Sequence, residues 1–223
     1  MPRTARNIAA GICYHVLNRG NGRATIFRDE ADYAAFVRFA AKASARFPVE
    51  VYSYCLMPNH FHLVLCPRVD NGLADWMHWT MTSFAHHIHR HHETSGRLWQ
   101  GRFKAFPVQH DDHLHTVMRY VERNALQAGL VSRAEHWQWG SLAGRATGTC
   151  AKWLSPCPVN LGKDWVKRVN EPVTAREYRR FLRSLAKGAP FGTSGWTAEV
   201  AARLGLGSTL RCAGRPKSRK REV

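Results

Sequence analysis

Two β-rich runs, Val49 to Met57 and Phe61 to Cys66, are joined through Pro58-Asn59. A link that short suits adjacent antiparallel strands, since a parallel pair needs a crossover of a dozen or more residues. The second run is preceded by His60, so that His60-Phe61-His62 leads into Leu63-Val64-Leu65-Cys66. Side chains alternate along a strand, so His60 and His62 project together while Phe61, Leu63 and Leu65 point the opposite way. Two imidazoles on one face of a rigid strand, anchored by an apolar residue between them, form half of a divalent-metal site. The same spacing also describes two partly exposed strand histidines, and the tripeptide alone does not separate the two.

Around this hairpin, Ile12 to Leu17 reads as a strand ending at the turn Asn18-Arg19-Gly20-Asn21-Gly22. Asp29 caps a helical stretch in which Tyr33, Phe36, Val37 and Ala40 recur at helix spacing, and Pro48 ends it. Asn71-Gly72 opens a long helix reaching about His92, and Arg102 to Val108 reads as a further strand. Asp111-Asp112 then starts a helix over 111–128 with Leu114, Val117, Met118, Val121 and Ala125 on its apolar stripe. The order β-α-β-β-α-β-α predicts an α+β fold, a ferredoxin-like antiparallel sheet with packed helices. Past about Arg145 the composition changes. Residues 1–145 form the predicted principal domain, and 146–206 an extension with Pro156, Pro158, Pro172 and a short helix from Thr174 to Ala186. Residues 207–223, rich in Arg, Lys and Gly, read as a flexible basic tail.

Charge narrows the partner. The 223 residues carry 33 Lys and Arg against 16 Asp and Glu, a net charge of +17, so a polyanion is expected and nucleic acid is the leading candidate. No apolar stretch approaches the roughly 18 residues needed to span a bilayer. The short Ile8-Ala9-Ala10-Gly11-Ile12 is too small for a signal-peptide core, which leaves a cytoplasmic location as the expectation. The cysteines, at 13, 55, 66, 150, 157 and 212, form no Cys-x-x-Cys pair, so a zinc knuckle is unsupported. Cys13, Cys55 and Cys66 read as small reduced core residues.

On the helix predicted over 111–128, Tyr120 and Asn124 are four residues apart and share a face. A tyrosine hydroxyl becomes a usable nucleophile when something lowers the cost of its phenolate or neutralises the group it attacks. A divalent cation on a scissile phosphate does the second. The Asn124 amide oxygen on that cation would complete a three-ligand set with His60 and His62. A tyrosine packed at the core edge is the alternative for Tyr120.

The segment Met57-Pro58-Asn59-His60-Phe61-His62-Leu63-Val64 resembles the histidine-hydrophobe-histidine (HUH) motif of single-tyrosine transposases. Tyr120-Val121-Glu122-Arg123-Asn124, followed by Ala128-Gly129-Leu130-Val131, is similar to their nucleophile helix. Tyr14-His15-Val16-Leu17-Asn18-Arg19-Gly20, Leu98-Trp99-Gln100-Gly101-Arg102-Phe103-Lys104 and Trp137-Gln138-Trp139-Gly140-Ser141 resemble segments of the REP-associated tyrosine transposase branch. The likeness covers about residues 10 to 145, with a weaker continuation at Gly214-Arg215-Pro216-Lys217. One departure is Ala125, where the family pattern usually has proline.

The resemblance implies a metal-dependent enzyme acting on single-stranded DNA. Tyr120 would attack a phosphodiester and form a 5′-phosphotyrosine link, and Mg²⁺ or Mn²⁺ would be held by His60, His62 and Asn124. The implied substrate is a folded palindrome, a REP-like hairpin beside a short guide sequence, and relatives occur as monomers or homodimers. Trp99, Arg97, Arg102 and Lys104 are the candidate DNA contacts, aromatic rings for stacking and cations for phosphates. Arg215 and Lys217 in the tail are further candidates. Trp76 and Trp79 read as core rather than stacking platforms. His86-His87-Ile88-His89-Arg90-His91-His92 has no carboxylate or cysteine spaced to finish a metal site and reads as a polar or DNA-facing helix end. His15 lies on a strand that could approach the site, but its sequence position does not place it. Three rival readings are a non-cutting hairpin binder, a relaxase-type nickase, and a metallohydrolase in which water replaces Tyr120.

Overall fold

The computed structural model describes residues 7–211, apart from the side chains of 175–177. Arg215, Lys217 and most of the expected basic tail lie outside the described residues. The elements run β1 (Cys13–Arg19), α1 (Glu30–Arg46), β2 (Val49–Met57), β3 (His60–Pro67), α2 (Gly72–His91), β4 (Lys104–Val108), α3 (Asp112–Glu122) and α4 (Asn124–Gln127). The chain continues with α5 (Ser141–Thr147), α6 (Trp165–Asn170), α7 (Ala175–Lys187), α8 (Ser194–Leu204) and α9 (Gly207–Leu210).

The strands form one antiparallel sheet in the order β2-β3-β1-β4, the arrangement the β-α-β-β-α-β pattern predicts. Alternation then divides the side chains between two layers. Tyr14, Val16, Leu56, Phe61, Leu63 and Leu65 pack with Phe36 of α1 and Leu73, Trp76, Met77 and Phe84 of α2. Cys13, Cys55, Met57, Val64 and Cys66 lie in the opposite core with Leu114, Val117, Met118 and Val121 of α3, joined by Trp165 and Phe181. Burying such side chains stabilises by about 1.5–3 kcal/mol each before ordering entropy is counted. Trp76 is fully buried and Trp79 packs edge-on to Phe39, so both belong to the α1–α2 layer as expected.

Several details differ from the sequence expectation. β2 carries a bulge between Val51 and Ser53, and Tyr52 is the extra residue. A bulge reverses the alternation, which is why Val51 before it and Tyr54 and Leu56 after it share the α1–α2 core. β1 continues through Asn18 and Arg19, residues expected in the turn, because Asn18 and Arg19 pair with Phe61 and His60. The helix expected over 111–128 breaks at Arg123, and the extension has two additional helices, α6 and α8. Gly207–Leu210, expected in the tail, is a short helix.

Both sheet edges are covered by later parts of the chain. Beside β2, Leu56 N–H donates to the Trp139 carbonyl at 2.9 Å. Beside β4, Phe191 N–H donates to the Pro107 carbonyl at 2.8 Å, and Gln109 N–H returns to Phe191 at 2.9 Å. Covered edges remove the unpaired backbone that invites strand addition. No helix among the described residues is long and apolar enough to cross a membrane.

Candidate active site

Strand register sets the site. Directly opposed residues of neighbouring strands share a face, so the register defines rows across the sheet on the α3 side. One row is Met57, His60 and Arg19; the next is Cys55, His62, Leu17 and Lys104; a third is Ser53, Val64, His15 and Phe106. Three histidines from two strands thus meet on one face. The His60 and His62 rings are 5.0 Å apart at 86°, and His15 and His62 stack at 5.1 Å and 16°. His15 Nε2 lies 2.9 Å from His62 Nδ1.

Burial holds these imidazoles neutral. It pushes His60 down to about 4, with Arg19 adding repulsion, and His15 down to about 3. It also takes His62 well below the ordinary histidine value, with further repulsion from His15, His60 and Arg19. Neutral imidazole is the form that can ligate a metal.

The turn carrying His60 is fixed by the segment after β1. Gly20 N–H donates to the Asn59 carbonyl at 2.8 Å, while Ile26 and Phe27 N–H groups donate to Pro58 at 2.8 and 3.0 Å. Gly20 is required by close approach: a Cβ there would lie 2.3 Å from the Ala24 carbonyl oxygen and 2.7 Å from Ile26. Asn59 Nδ2 donates to the Arg23 carbonyl at 3.1 Å and Oδ1 lies 2.6 Å from His60 Nδ1.

Tyr120, near the end of α3, meets this face edge-on. Its ring lies 5.6 Å from His62 and 5.9 Å from His15, with Phe181 and Tyr178 of α7 at 4.9 and 5.5 Å. Burial raises the Tyr120 phenol above its ordinary value, while a hydrogen bond with Asn124 and the charge of Arg19 oppose that shift. Asn124 opens α4 just past the break at Arg123, and its Nδ2 donates to the Tyr120 carbonyl at 3.2 Å.

A buried carboxylate anchors this part of α3. Glu122 is 2% exposed and accepts from Ser141 Oγ at 2.6 Å and Arg145 Nε at 2.9 Å of α5, and from Trp165 Nε1 of α6 at 2.6 Å. Arg123 Nη1 donates to the Val169 carbonyl at 2.6 Å. The extension therefore holds the helix that carries Tyr120.

The model of a transposase family described as "Transposase IS200 like" matches residues 9–124, more than half the chain. The chain belongs to the IS200-like transposase family. That membership makes it a DNA-processing enzyme, and the match ends on Asn124, so it spans His60, His62 and Tyr120. No curated protein shows significant similarity. Among solved structures, a REP-associated tyrosine transposase bound to a REP hairpin is 17% identical with a TM-score of 0.55. The alignment covers 78% of this chain and all of that one, which establishes the shared fold. A protein from Deinococcus radiodurans R1, described as a transposase, is 18% identical over 58% of this chain and 95% of its own, with a TM-score of 0.37. That score carries no structural argument.

Around this IS200-like centre the other predicted residues divide. Arg97, Trp99 and Arg102 line one cleft of about 590 Å³ with His78, Met81 and His86 of α2. The Trp99 ring packs on Phe61 and Phe84 at 5.5 and 5.8 Å, and its Nε1 donates to the Met81 carbonyl at 3.2 Å, so only part of it faces the cleft. Lys104 lies on the other face, exposed, in the row of His62. Arg19, which bears electrostatically on both histidines and Tyr120, was overlooked in the sequence apart from its place in a family-like segment, as were Asn59 and Glu122. For Asn59 and Glu122 the signal is their adjacency to His60 and Tyr120; Arg19 reaches His60 only through the pairing of β1 with β3.

The histidine-rich end of α2 also differs from expectation. Asp29, the N-cap of α1, and Asp32 in its first turn join His91 and His92, with one ligand atom from each within 4.8 Å of all the others. His92 Nε2 lies 2.8 Å from Asp32 and His91 Nε2 3.2 Å from Asp29. The carboxylates missing locally are supplied across the helix pair. The group could hold a metal ion, and the same contacts clamp the start of α1 to the end of α2.

Proposed function

We propose that this IS200-like transposase is a metal-dependent, REP-associated enzyme that nicks and rejoins single-stranded DNA at hairpins through Tyr120. The observation that carries the reading is the edge-on meeting of Tyr120 with the neutral His60–His62 face. Support for a hairpin substrate comes from the REP-associated segments of the sequence, and a structural relative of the same fold was solved with a REP hairpin.

The donor set fits a divalent ion. Two neutral imidazoles on one strand and the amide of Asn124 are its proposed ligands, a set softer than Mg²⁺ prefers, so that Mn²⁺ serves at least as well. Once bound, the ion would polarise the scissile phosphate and offset charge on its oxygens. The chain's own groups do the rest. Tyr120 Oη forms a bond to phosphorus as its proton departs; the phosphorus–O3′ bond breaks, and the 3′-oxygen leaves as a hydroxyl after taking up a proton. The 5′-phosphate stays on Tyr120. Since bond energy is retained in that link, an incoming 3′-hydroxyl can reverse the step and join strands. Arg19 favours the phenolate electrostatically and, with Lys104 on the same sheet face, offers positive charge to the phosphates.

Within this reading residues 1–145 hold the catalytic groups and 146–206 support them. The cleft with Arg97, Trp99 and Arg102 takes DNA on the α2 side. The test is cleavage of hairpin oligonucleotides with Mn²⁺ by the wild type and by His60→Ala and His62→Ala. Loss of cutting in both variants is expected; full activity in either overturns the site.

A further inference from the structure

We propose that Asn59 and His15 are positioning residues that fix the tautomers of His60 and His62, leaving both Nε2 atoms bare for the ion. The inference rests on the metal reading above and extends it from the ligands to what orients them. A neutral imidazole carries one proton, and the partner of one ring nitrogen decides whether the other can ligate.

For His60 the geometry leaves one arrangement. Asn59 Nδ2 is engaged with the Arg23 carbonyl, which turns Oδ1 toward His60 Nδ1 at 2.6 Å. A carbonyl oxygen only accepts, so the His60 proton resides on Nδ1 and Nε2 keeps its lone pair. The Pro58 and Asn59 carbonyls are themselves held by N–H groups of Gly20, Ile26 and Phe27. The asparagine therefore cannot easily drift or flip.

For His62 the partner is another imidazole. His15 is fully buried, and its Nε2 sits 2.9 Å from His62 Nδ1. The shared proton permits two arrangements. With His15 accepting from His62 Nδ1–H, His62 Nε2 is free to ligate. With His15 donating, His62 carries its proton on Nε2 and is blocked. His15 Nδ1 has no hydrogen-bond partner among the described residues and is enclosed near Phe106 and Phe181, whose rings lie 6.0 and 5.7 Å from the imidazole. A buried polar atom left unpaired is uncommon and calls for an explanation. Nδ1 is unpaired in either arrangement, so the choice is made at His62: an ion on His62 Nε2 leaves its proton on Nδ1, which His15 Nε2 accepts, and the His15 proton then sits on Nδ1 in surroundings that include aromatic rings, weak acceptors at best. Both outer partners are neutral, so they orient the ligands without adding negative charge where a phosphate must approach.

The test combines Mn²⁺ binding, followed by electron paramagnetic resonance, with ¹⁵N imidazole spectra of the metal-free and Mg²⁺-saturated protein. Asn59→Leu and His15→Leu should weaken Mn²⁺ binding about 10–100-fold. His15→Gln, which keeps a neutral acceptor oxygen, should restore it to within several-fold, a rescue that a purely packing role would not give. The spectra should show His60 protonated at Nδ1 without metal, and His62 protonated at Nδ1 with Mg²⁺. If wild type binds Mn²⁺ and the Leu variants bind it equally well, or His60 carries its proton on Nε2, this inference fails alone. Wild type that binds no Mn²⁺ overturns the metal reading and this inference with it.

Discussion

The ring of Tyr120 stands edge-on to that of His62, 5.6 Å away at 87°, although one belongs to a helix and the other to the sheet. In the proposed mechanism the relationship joins the nucleophile to the metal-ligand face, and Phe181 from the extension packs against Tyr120 at 4.9 Å. Removing the hydroxyl should therefore leave the packing intact. Tyr120→Phe is expected to lower hairpin cleavage by at least about a thousandfold while hairpin affinity stays within a few-fold. Filter binding beside a cleavage assay checks this; loss of both would make Tyr120 structural.

Glu122 is the support of that tyrosine. Glu122→Ala strands the donors of Ser141, Arg145 and Trp165 and should cost about 3–5 kcal/mol, read as a lower urea midpoint. Glu122→Gln should cost less, since an acceptor oxygen remains. A change under about 1 kcal/mol for Glu122→Ala would contradict the anchoring role.

Acid should destabilise the metal-free protein. The folded state depresses the pKa values of His15 and His60, through burial first, to about 3 and about 4. Below the ordinary value near 6.5 the unfolded chain binds protons that the folded one refuses, so stability falls as pH drops toward 4. Each histidine contributes up to roughly 1.4 kcal/mol per pH unit in that window. Thermal melts with chelator between pH 7.5 and 4.5 should show the decline, and His15→Phe should make it shallower. An unchanged slope would contradict the buried neutral state of His15.

Arg19 and Lys104 are expected to meet phosphates. Arg19→Ala and Lys104→Ala should each weaken hairpin binding and reduce the salt dependence of log K by about one unit of slope. Identical slopes in wild type and variants would place the DNA elsewhere.

Much of the fold was legible because local rules sufficed. The Pro58-Asn59 link required an antiparallel hairpin, alternation put His60 and His62 on one face, and Asp29 caps α1 through Asp32 N–H at 3.0 Å. What escaped depends on contacts distant in sequence. No periodicity announces a bulge at Tyr52 or a break at Arg123, where the Asn124 side chain takes up the Tyr120 carbonyl. His15 becomes part of the site only through pairing of β1 with β3, and Asp29 and Asp32 reach His91 and His92 only because α1 packs beside α2. Trp99 combines two roles that local sequence cannot separate: its ring packs on Phe61 and Phe84 while the residue also lines the cleft with Arg97 and Arg102.

The most direct measurement incubates the full chain with labelled single-stranded hairpin DNA and Mn²⁺, then separates the products on a denaturing gel. A labelled band at protein mass, absent with chelator and absent in Tyr120→Phe, is the predicted result. DNA that is bound but never attached, or cut without attachment, would contradict Tyr120 as the nucleophile.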